Sequence, residues 1–260
     1  MSANSSSTFG LEGKRVVITG AGGGVGQCLV SSFHAAGSIV IACDRDSTLL
    51  DALPSDSVNE RHVFELSDPK AVKAAAGSIG QVDILINNAG FTKADNMSQV
   101  DDDDVQGEVN LNLTGTMNLT RALLKPMIAQ GSGTIVMISS VNALLHCGNP
   151  IYSAAKAGQL AFARAIAVEY GGRGIRANAV CPGSMLTAAW QGRVDARPGL
   201  VEELTKYYPS QRLVLPQELA NTVLFLSSPL SSGVSGVDIA VDGGLRAGNM
   251  RLVRDIIGLE

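Results

Sequence analysis

The chain has 260 residues, of which 45% are hydrophobic and 17% charged, with a formal net charge of -4. That is enough apolar side chain for a core buried on both faces of a sheet, and it excludes disorder for most of the chain. The acidic balance, with no cluster of Lys or Arg, excludes binding along a nucleic-acid backbone, which needs a basic face to release counterions.

The opening octet MSANSSST lacks the basic residue and apolar run of a secretory signal, so residues 1–8 read as a loose tail. No segment approaches the ~20 apolar residues that cross a bilayer, and a cytoplasmic protein is expected. Cys28, Cys43, Cys147 and Cys181 form no CxxC pair and have no His pair nearby, which predicts free thiols and no metal site.

From residue 9 to 260 a single α/β domain is predicted, because short β-branched runs alternate with helical periodicity as in parallel strands joined by crossover helices. The strands fall at Arg15–Thr19, Ser38–Cys43, Arg61–Glu65, Ile84–Asn87, Thr134–Ile138, Ile175–Val180 and Val237–Val241. Helices fall near Val25–Ala36, Pro69–Ala76, Asp103–Ala129, Tyr152–Tyr170 and Pro216–Leu226. The result is a doubly wound, mainly parallel seven-stranded sheet with helices on both faces. The acidic run Asp101–Asp104 stands at a helix start, where it complements the macrodipole; a metal-ligand set is the alternative. Between the sixth strand and Pro216 lies a stretch rich in turn formers, and a long loop of that kind is expected to act as a lid over substrate, about 183–215.

The first strand runs into Thr19-Gly20-Ala21-Gly22-Gly23-Gly24-Val25-Gly26 and then directly into a helix. Glycines let the backbone turn tightly and approach a pyrophosphate, whose charge then sits against the open N–H groups of the helix start. In this strand–turn–helix setting the loop predicts a dinucleotide site. The second strand ends at Asp44, about twenty residues on, where a carboxylate accepts hydrogen bonds from a ribose and repels a 2′-phosphate. NAD is therefore expected over NADP, with Arg45 next door as the residue that works the other way.

Tyr152 and Lys156 stand four apart, on one face of a helix. A phenol with a pKa near ~10 becomes a usable base at neutral pH only if a nearby positive charge favours the phenolate. Taken with Asn87-Asn88-Ala89-Gly90, Asn112-Leu113-Thr114-Gly115, Ile138-Ser139-Ser140, Pro182-Gly183 and Val241-Asp242-Gly243-Gly244 in this order, the chain resembles the short-chain dehydrogenase/reductase family from its first strand to Gly244.

The resemblance implies that Tyr152 is the general acid/base, that Lys156 lowers its pKa and holds the nicotinamide ribose, and that Ser140 binds the substrate oxygen, with Ser139 as the competing serine. It implies that Asn112 interrupts its helix to place a water in a relay to Lys156. Cofactor contacts are expected from Gly20, Gly24, Val25, Gly26, Asp44, Arg45, Glu65, Leu66, Asn88, Ala89, Gly90, Tyr152, Lys156, Pro182, Gly183, Met185 and Thr187. Two residues depart from the family pattern: Glu65 stands at the place of an aspartate that touches adenine, and Cys181 at that of a small apolar residue. A homotetramer is implied as well, and Met250, Val253 and Ile257 recur in the tail at near-helical spacing, suited either to a subunit boundary or to folding back on their own core.

The expected reaction is hydride transfer between NAD and a secondary alcohol or ketone of a small polyol, sugar or sugar acid. The resemblance implies that the segment after Ser140, with Asn142, His146 and Asn149, and the lid after Gly183, with Gln191, Arg193, Asp195 and Arg197, surround the substrate, so the pocket would be polar, with Leu144, Leu145 and Trp190 as the apolar alternative. Two rival readings are an NADP-dependent reductase of 3-oxoacyl carrier-protein thioesters and a non-catalytic dinucleotide-sensing regulator.

Overall fold

The strand Arg15–Thr19 (β1) carries Val16, Val17 and Ile18 in succession, all fully buried. A strand that is apolar without alternation has to be covered on both faces. The computed structural model, which describes residues 9–258, supplies both covers. Strands β1, β2 (Ile39–Asp44), β3 (Glu60–Val63), β4 (Ile84–Asn87), β5 (Gly133–Ile138), β6 (Ile175–Pro182) and β7 (Asp238–Val241) form one parallel sheet in the order β3-β2-β1-β4-β5-β6-β7. The helices, in chain order, are α1 (Gly24–Ala35), α2 (Ser47–Asp51), α3 (Pro69–Ile79), α4 (Asp102–Val109), α5 (Thr116–Gln130), α6 (Pro150–Tyr170), α7 (Ala188–Ala196), α8 (Leu200–Thr205) and α9 (Pro216–Ser227), followed by a short turn at Met250–Leu252.

Alternation along each strand sorts the core into two layers. Val16, Ile18, Val40, Ala42, Ile84 and Ile86 pack with Leu29 and Phe33 of α1 and Leu219 and Val223 of α9. Val17, Ile41, Leu85, Ile135 and Met137 pack with Val72 of α3, Leu119 and Leu123 of α5 and Leu160 of α6. Each fully buried aliphatic or Phe side chain contributes about 1.5–3 kcal/mol of transfer free energy. The chain runs outward from β1 to β3 and then crosses to β4 on the other side of β1. That reversal opens a crevice beyond the carboxyl ends of β1 and β4, the place where open α/β sheets bind ligands.

Strands β1 and β4 lie where the sequence places them. β3 begins and ends earlier than expected, at Glu60 and Val63, so Glu65 and Leu66 sit in the turn beyond it. The single helix expected over Asp103–Ala129 is three segments: α4, a π-helical stretch Asn110–Gly115, and α5. The Asn112 carbonyl accepts bonds from Gln159 Nε2 at 2.6 Å and Thr116 Oγ1 at 3.2 Å, and these hold the wide turn. At the start of α4, Asp104 N–H donates to Asp101 Oδ1 at 2.7 Å and Asp101 N–H to Asp104 Oδ2 at 3.3 Å, a reciprocal cap that accounts for the acidic run. Among the described residues no three His, Cys, Asp or Glu side chains gather as metal ligands.

The stretch before Pro216, expected as loop, contains α7 and α8. The sequence AAWQGRVDA has no apolar stripe at helical period, and LVEELT offers only Leu200 and Leu204 four apart, too short a run to read as a helix. The expected loose tail, residues 1–8, lies outside the described residues. No helix among the described residues is long and apolar enough to cross a membrane, and all four cysteines are free thiols.

Candidate active site

At the carboxyl end of β1 the chain turns at Gly20, whose φ of +62° is strained for any other residue and whose added Cβ would lie 2.9 Å from Ala89 Cα. A Cβ on Gly26 would lie 2.1 Å from Gly20 O, so α1 presses directly onto the loop it leaves. The helix starts at Gly24 without a side-chain cap, and the first-turn N–H groups of Gly24, Val25 and Gly26 have no partner within the helix. A bare cradle ending in an open helix N-terminus fits a pyrophosphate. Asn88 donates its amide to Thr19 O at 2.9 Å and Gly20 O at 3.1 Å, which ties the loop to the end of β4. Its side chain shapes the cradle, leaving the backbone of Ala89 and Gly90 to border a ligand.

Asp44 ends β2 half-buried, its Oδ2 accepting Gly22 N–H at 3.0 Å and its Oδ1 accepting Arg45 N–H at 2.8 Å. The carboxylate thus fixes the glycine loop, and its remaining lone pairs suit ribose hydroxyls. Arg45 is exposed beside it. Glu65 spends one oxygen on its own turn, accepting Ser67 N–H at 3.2 Å, while Leu66 is buried with its carbonyl against Gly115.

Beyond β5 the reactive side chains come together. Lys156 is 2% exposed on α6, and its Nζ donates to Ile138 O at 2.7 Å and lies 5.5 Å from the centre of the Tyr152 ring. A Cβ on Gly90 would stand 3.2 Å from Nζ, so only glycine lets the β4 end approach so closely. The Ser140 hydroxyl donates to Asn142 Oδ1 at 3.2 Å and lies near enough to the Tyr152 phenol to hold its pKa lower than burial alone would. Ser139 instead donates to Lys156 O at 3.0 Å and fastens α6 to β5. Ser140, not Ser139, is the serine beside the phenol.

Charges in this cluster depart from the sequence expectation that Lys156 holds the phenol low. Burial pushes Tyr152 up to about 12, partly offset by Ser140, and pushes Lys156 down to about 8. Desolvation is the largest cause of both shifts. The Cys181 thiol is pushed up to about 11, chiefly by burial, and stays neutral. Asn112 is fully buried: its Nδ2 donates to Phe91 O at 2.8 Å and its Oδ1 accepts Phe91 N–H at 3.1 Å.

Residues 20–246 match the family model described as enoyl-(acyl carrier protein) reductase, a short-chain dehydrogenase group. The chain belongs to the short-chain dehydrogenase/reductase family. Its relatives include an uncharacterized oxidoreductase of Schizosaccharomyces pombe, 37% identical over 95% of this chain and 96% of the relative. A 3-oxoacyl-[acyl-carrier-protein] reductase of Thermotoga maritima is 35% identical over 90% of this chain and 98% of its own. A galactitol 2-dehydrogenase (L-tagatose-forming) of Cereibacter sphaeroides is 34% identical over 91% and 96%. Among solved structures, a short-chain oxidoreductase of Burkholderia thailandensis superposes with a TM-score of 0.90 at 38% identity, covering 95% of this chain and 98% of that one. A gluconate 5-dehydrogenase of Burkholderia cenocepacia, solved with NADP and tartrate, gives 0.86 at 30% identity over 92% and 97%.

In this short-chain dehydrogenase, Pro182 ends β6 and Gly183 N–H donates to Val241 O at 3.0 Å. Thr187 lies against the glycine loop, its Cβ 3.1 Å from where a Cβ on Gly24 would stand. Met185 is buried with its side chain in the layer that packs on α1 and α9. The polar residues expected to line a substrate pocket are mostly engaged elsewhere. Asn142 donates to Gly148 O at 2.9 Å, and Asn149 to Ala94 O at 3.1 Å. Arg193 pairs with Asp95 at 2.7 Å, Arg197 pairs with Glu203, Gln191 donates to Asp195 at 2.8 Å, and His146 is exposed.

Three buried polar side chains near the site carry no signal that the sequence reading used. Gln159, fully buried on α6 and three residues past Lys156, donates to the Asn112 carbonyl at 2.6 Å. Tyr208 accepts Ser184 N–H at 2.7 Å against Gly183. Glu108 lies one turn before Asn112. A lone polar residue on an otherwise apolar helix face was the available hint for Gln159.

Proposed function

We propose that this chain is an NAD-dependent oxidoreductase that interconverts a secondary alcohol and a ketone on a small polyol or sugar. The observation that carries the reading is Lys156 Nζ 5.5 Å from the Tyr152 ring on the same helix face, beside Gly90 at the end of β4, with Ser140 next to the phenol. Bound NAD supplies the hydride acceptor. Ser140 would donate to the substrate oxygen while Tyr152 gives its hydroxyl proton to that oxygen in reduction and takes it back in oxidation. Lys156 would hold the nicotinamide ribose and, when protonated, favour the phenolate. Asn112 shapes the π-turn behind it.

The carboxylate of Asp44 at the ribose end supports NAD over NADP. A polyol or sugar is supported by the galactitol-oxidising relative. A sugar acid has less support, because Arg193 and Arg197 already have carboxylate partners. The thioester reading keeps the support of the Thermotoga maritima relative. A cytosolic homotetramer completes the proposal, the free thiols suiting a reducing compartment.

The test is a purified-enzyme panel of galactitol, threitol, gluconate and a 3-oxoacyl thioester with each cofactor, repeated on Tyr152→Phe. Polyol turnover with NAD is expected, with a loss of at least ~100-fold in the variant at intact NAD binding. Preference for the thioester with NADP overturns the substrate and cofactor assignment. A Tyr152→Phe enzyme with unchanged kcat overturns the mechanism.

A further inference from the structure

Glu108, on α4, is 1% exposed and takes no part in the chemistry described above. Its Oε1 accepts two backbone bonds from the segment that follows β4, Lys93 N–H at 2.8 Å and Ala94 N–H at 3.3 Å. Its Oε2 is buried without a partner. A buried carboxylate with half its capacity unused is costly unless the bonds it does make are needed. One helical turn later, Asn112 holds the same segment through both N–H and C=O of Phe91. Glu108 and Asn112 are thus two rungs of one clamp on the strap 91–95.

The strap is also what the catalytic helix starts from. Asn149, the residue before Pro150 at the head of α6, has a φ of +51°, in the left-handed region. It is kept there by the strap, its N–H donating to Asp95 O at 2.8 Å and its Nδ2 to Ala94 O at 3.1 Å. A strained residue persists only where its surroundings over-determine it. Tyr152 follows three residues later, within the first turn of the helix.

Resting on the assignment of Tyr152 as acid/base, we propose that Glu108 is a positioning residue that sets Tyr152 through the strap 91–95 and the Asn149 cap. A neutral acceptor at position 108 keeps the clamp, whereas a methyl group removes it.

The experiment compares Glu108→Gln and Glu108→Ala with the parent enzyme, reading kcat and the KM for NAD and for the best polyol of the panel. Glu108→Gln is expected to keep kcat within about threefold, because the acceptor of the clamp is retained. Glu108→Ala is expected to lose about tenfold or more in kcat with KM for NAD little changed, as a displaced reacting group does. Parent kcat in Glu108→Ala, or a loss in Glu108→Gln as large as that in Glu108→Ala, overturns the proposal. If Tyr152→Phe is itself active, the acid/base assignment fails; if it is inactive while both Glu108 variants match the parent, only this proposal fails.

Discussion

Burial displaces Lys156 and Tyr152 in opposite directions, each toward its neutral form. In the unfolded chain a lysine keeps its proton to about pH 10.4, whereas folded Lys156 releases it near 8, so between those values the unfolded state binds more protons and stability rises with pH. Below about 8 both states are protonated and the cost of the buried ammonium is fully present. Lys156→Met has no such dependence. The stability of the parent relative to Lys156→Met should therefore rise by about 1 kcal/mol from pH 7 to pH 9, read from urea midpoints with their slopes. Tyr152 titrates outside this window: its folded pKa of about 12 takes stability away only as pH climbs past the unfolded value near 10. A constant gap between parent and variant would mean that the ammonium is not desolvated.

Among the described residues, helix α7 is joined to a segment distant in sequence by one side-chain pair, Arg193 Nη2 to Asp95 Oδ1, with both side chains about half exposed (47% and 55%). Arg193 also lies 5.9 Å from the Trp190 ring. An exposed pair of this kind contributes about 0.2–1 kcal/mol, enough to bias a segment toward closure without locking it. Arg193→Ala should leave the melting temperature within about 1 °C and speed first cleavage within 184–207 by about two- to fivefold in limited proteolysis. An unchanged cleavage rate would show that the pair does not hold the segment. This part of the chain was also the hardest to read. The inner strands and α1, α3, α6 and α9 are legible because burial on one face imposes a period on their side chains. α7 and α8 rest on the surface, where α7 carries no such period and α8 is too short to show one. The same rule governs the site. Gly20, Tyr152 and Lys156 are legible because the chemistry dictates residue type and spacing, whereas Glu108, Gln159 and Tyr208 act through contacts between segments distant in sequence.

The two edges of the sheet differ in a way that bears on assembly. β3, Glu-Arg-His-Val, presents charged side chains, with Glu60 bound to Arg15 at 2.7 Å. β7, Asp-Ile-Ala-Val, is partly exposed along its whole length and mostly apolar. An unprotected edge invites pairing with another strand, and charge is a common means of preventing it. Past β7 the tail exposes Leu252 (56%), Ile256 (71%) and Ile257 (75%), and Val253 is also exposed, so these residues do not fold back on their own core. Single exposed aliphatics are ordinary; four within six residues make a patch suited to a two-fold interface with a second copy. Light scattering of the purified protein should give a particle of four 26.9 kDa chains. The double substitution Ile256→Asp with Ile257→Asp should lower the assembly state at micromolar concentration, because two carboxylates would be desolvated in an apolar contact. A parent protein that is monomeric under the same conditions refutes the tetramer, and an unchanged tetramer in the double variant moves the interface away from the tail, to surfaces such as that around Val105 of α4 and Met117 of α5, which are also exposed.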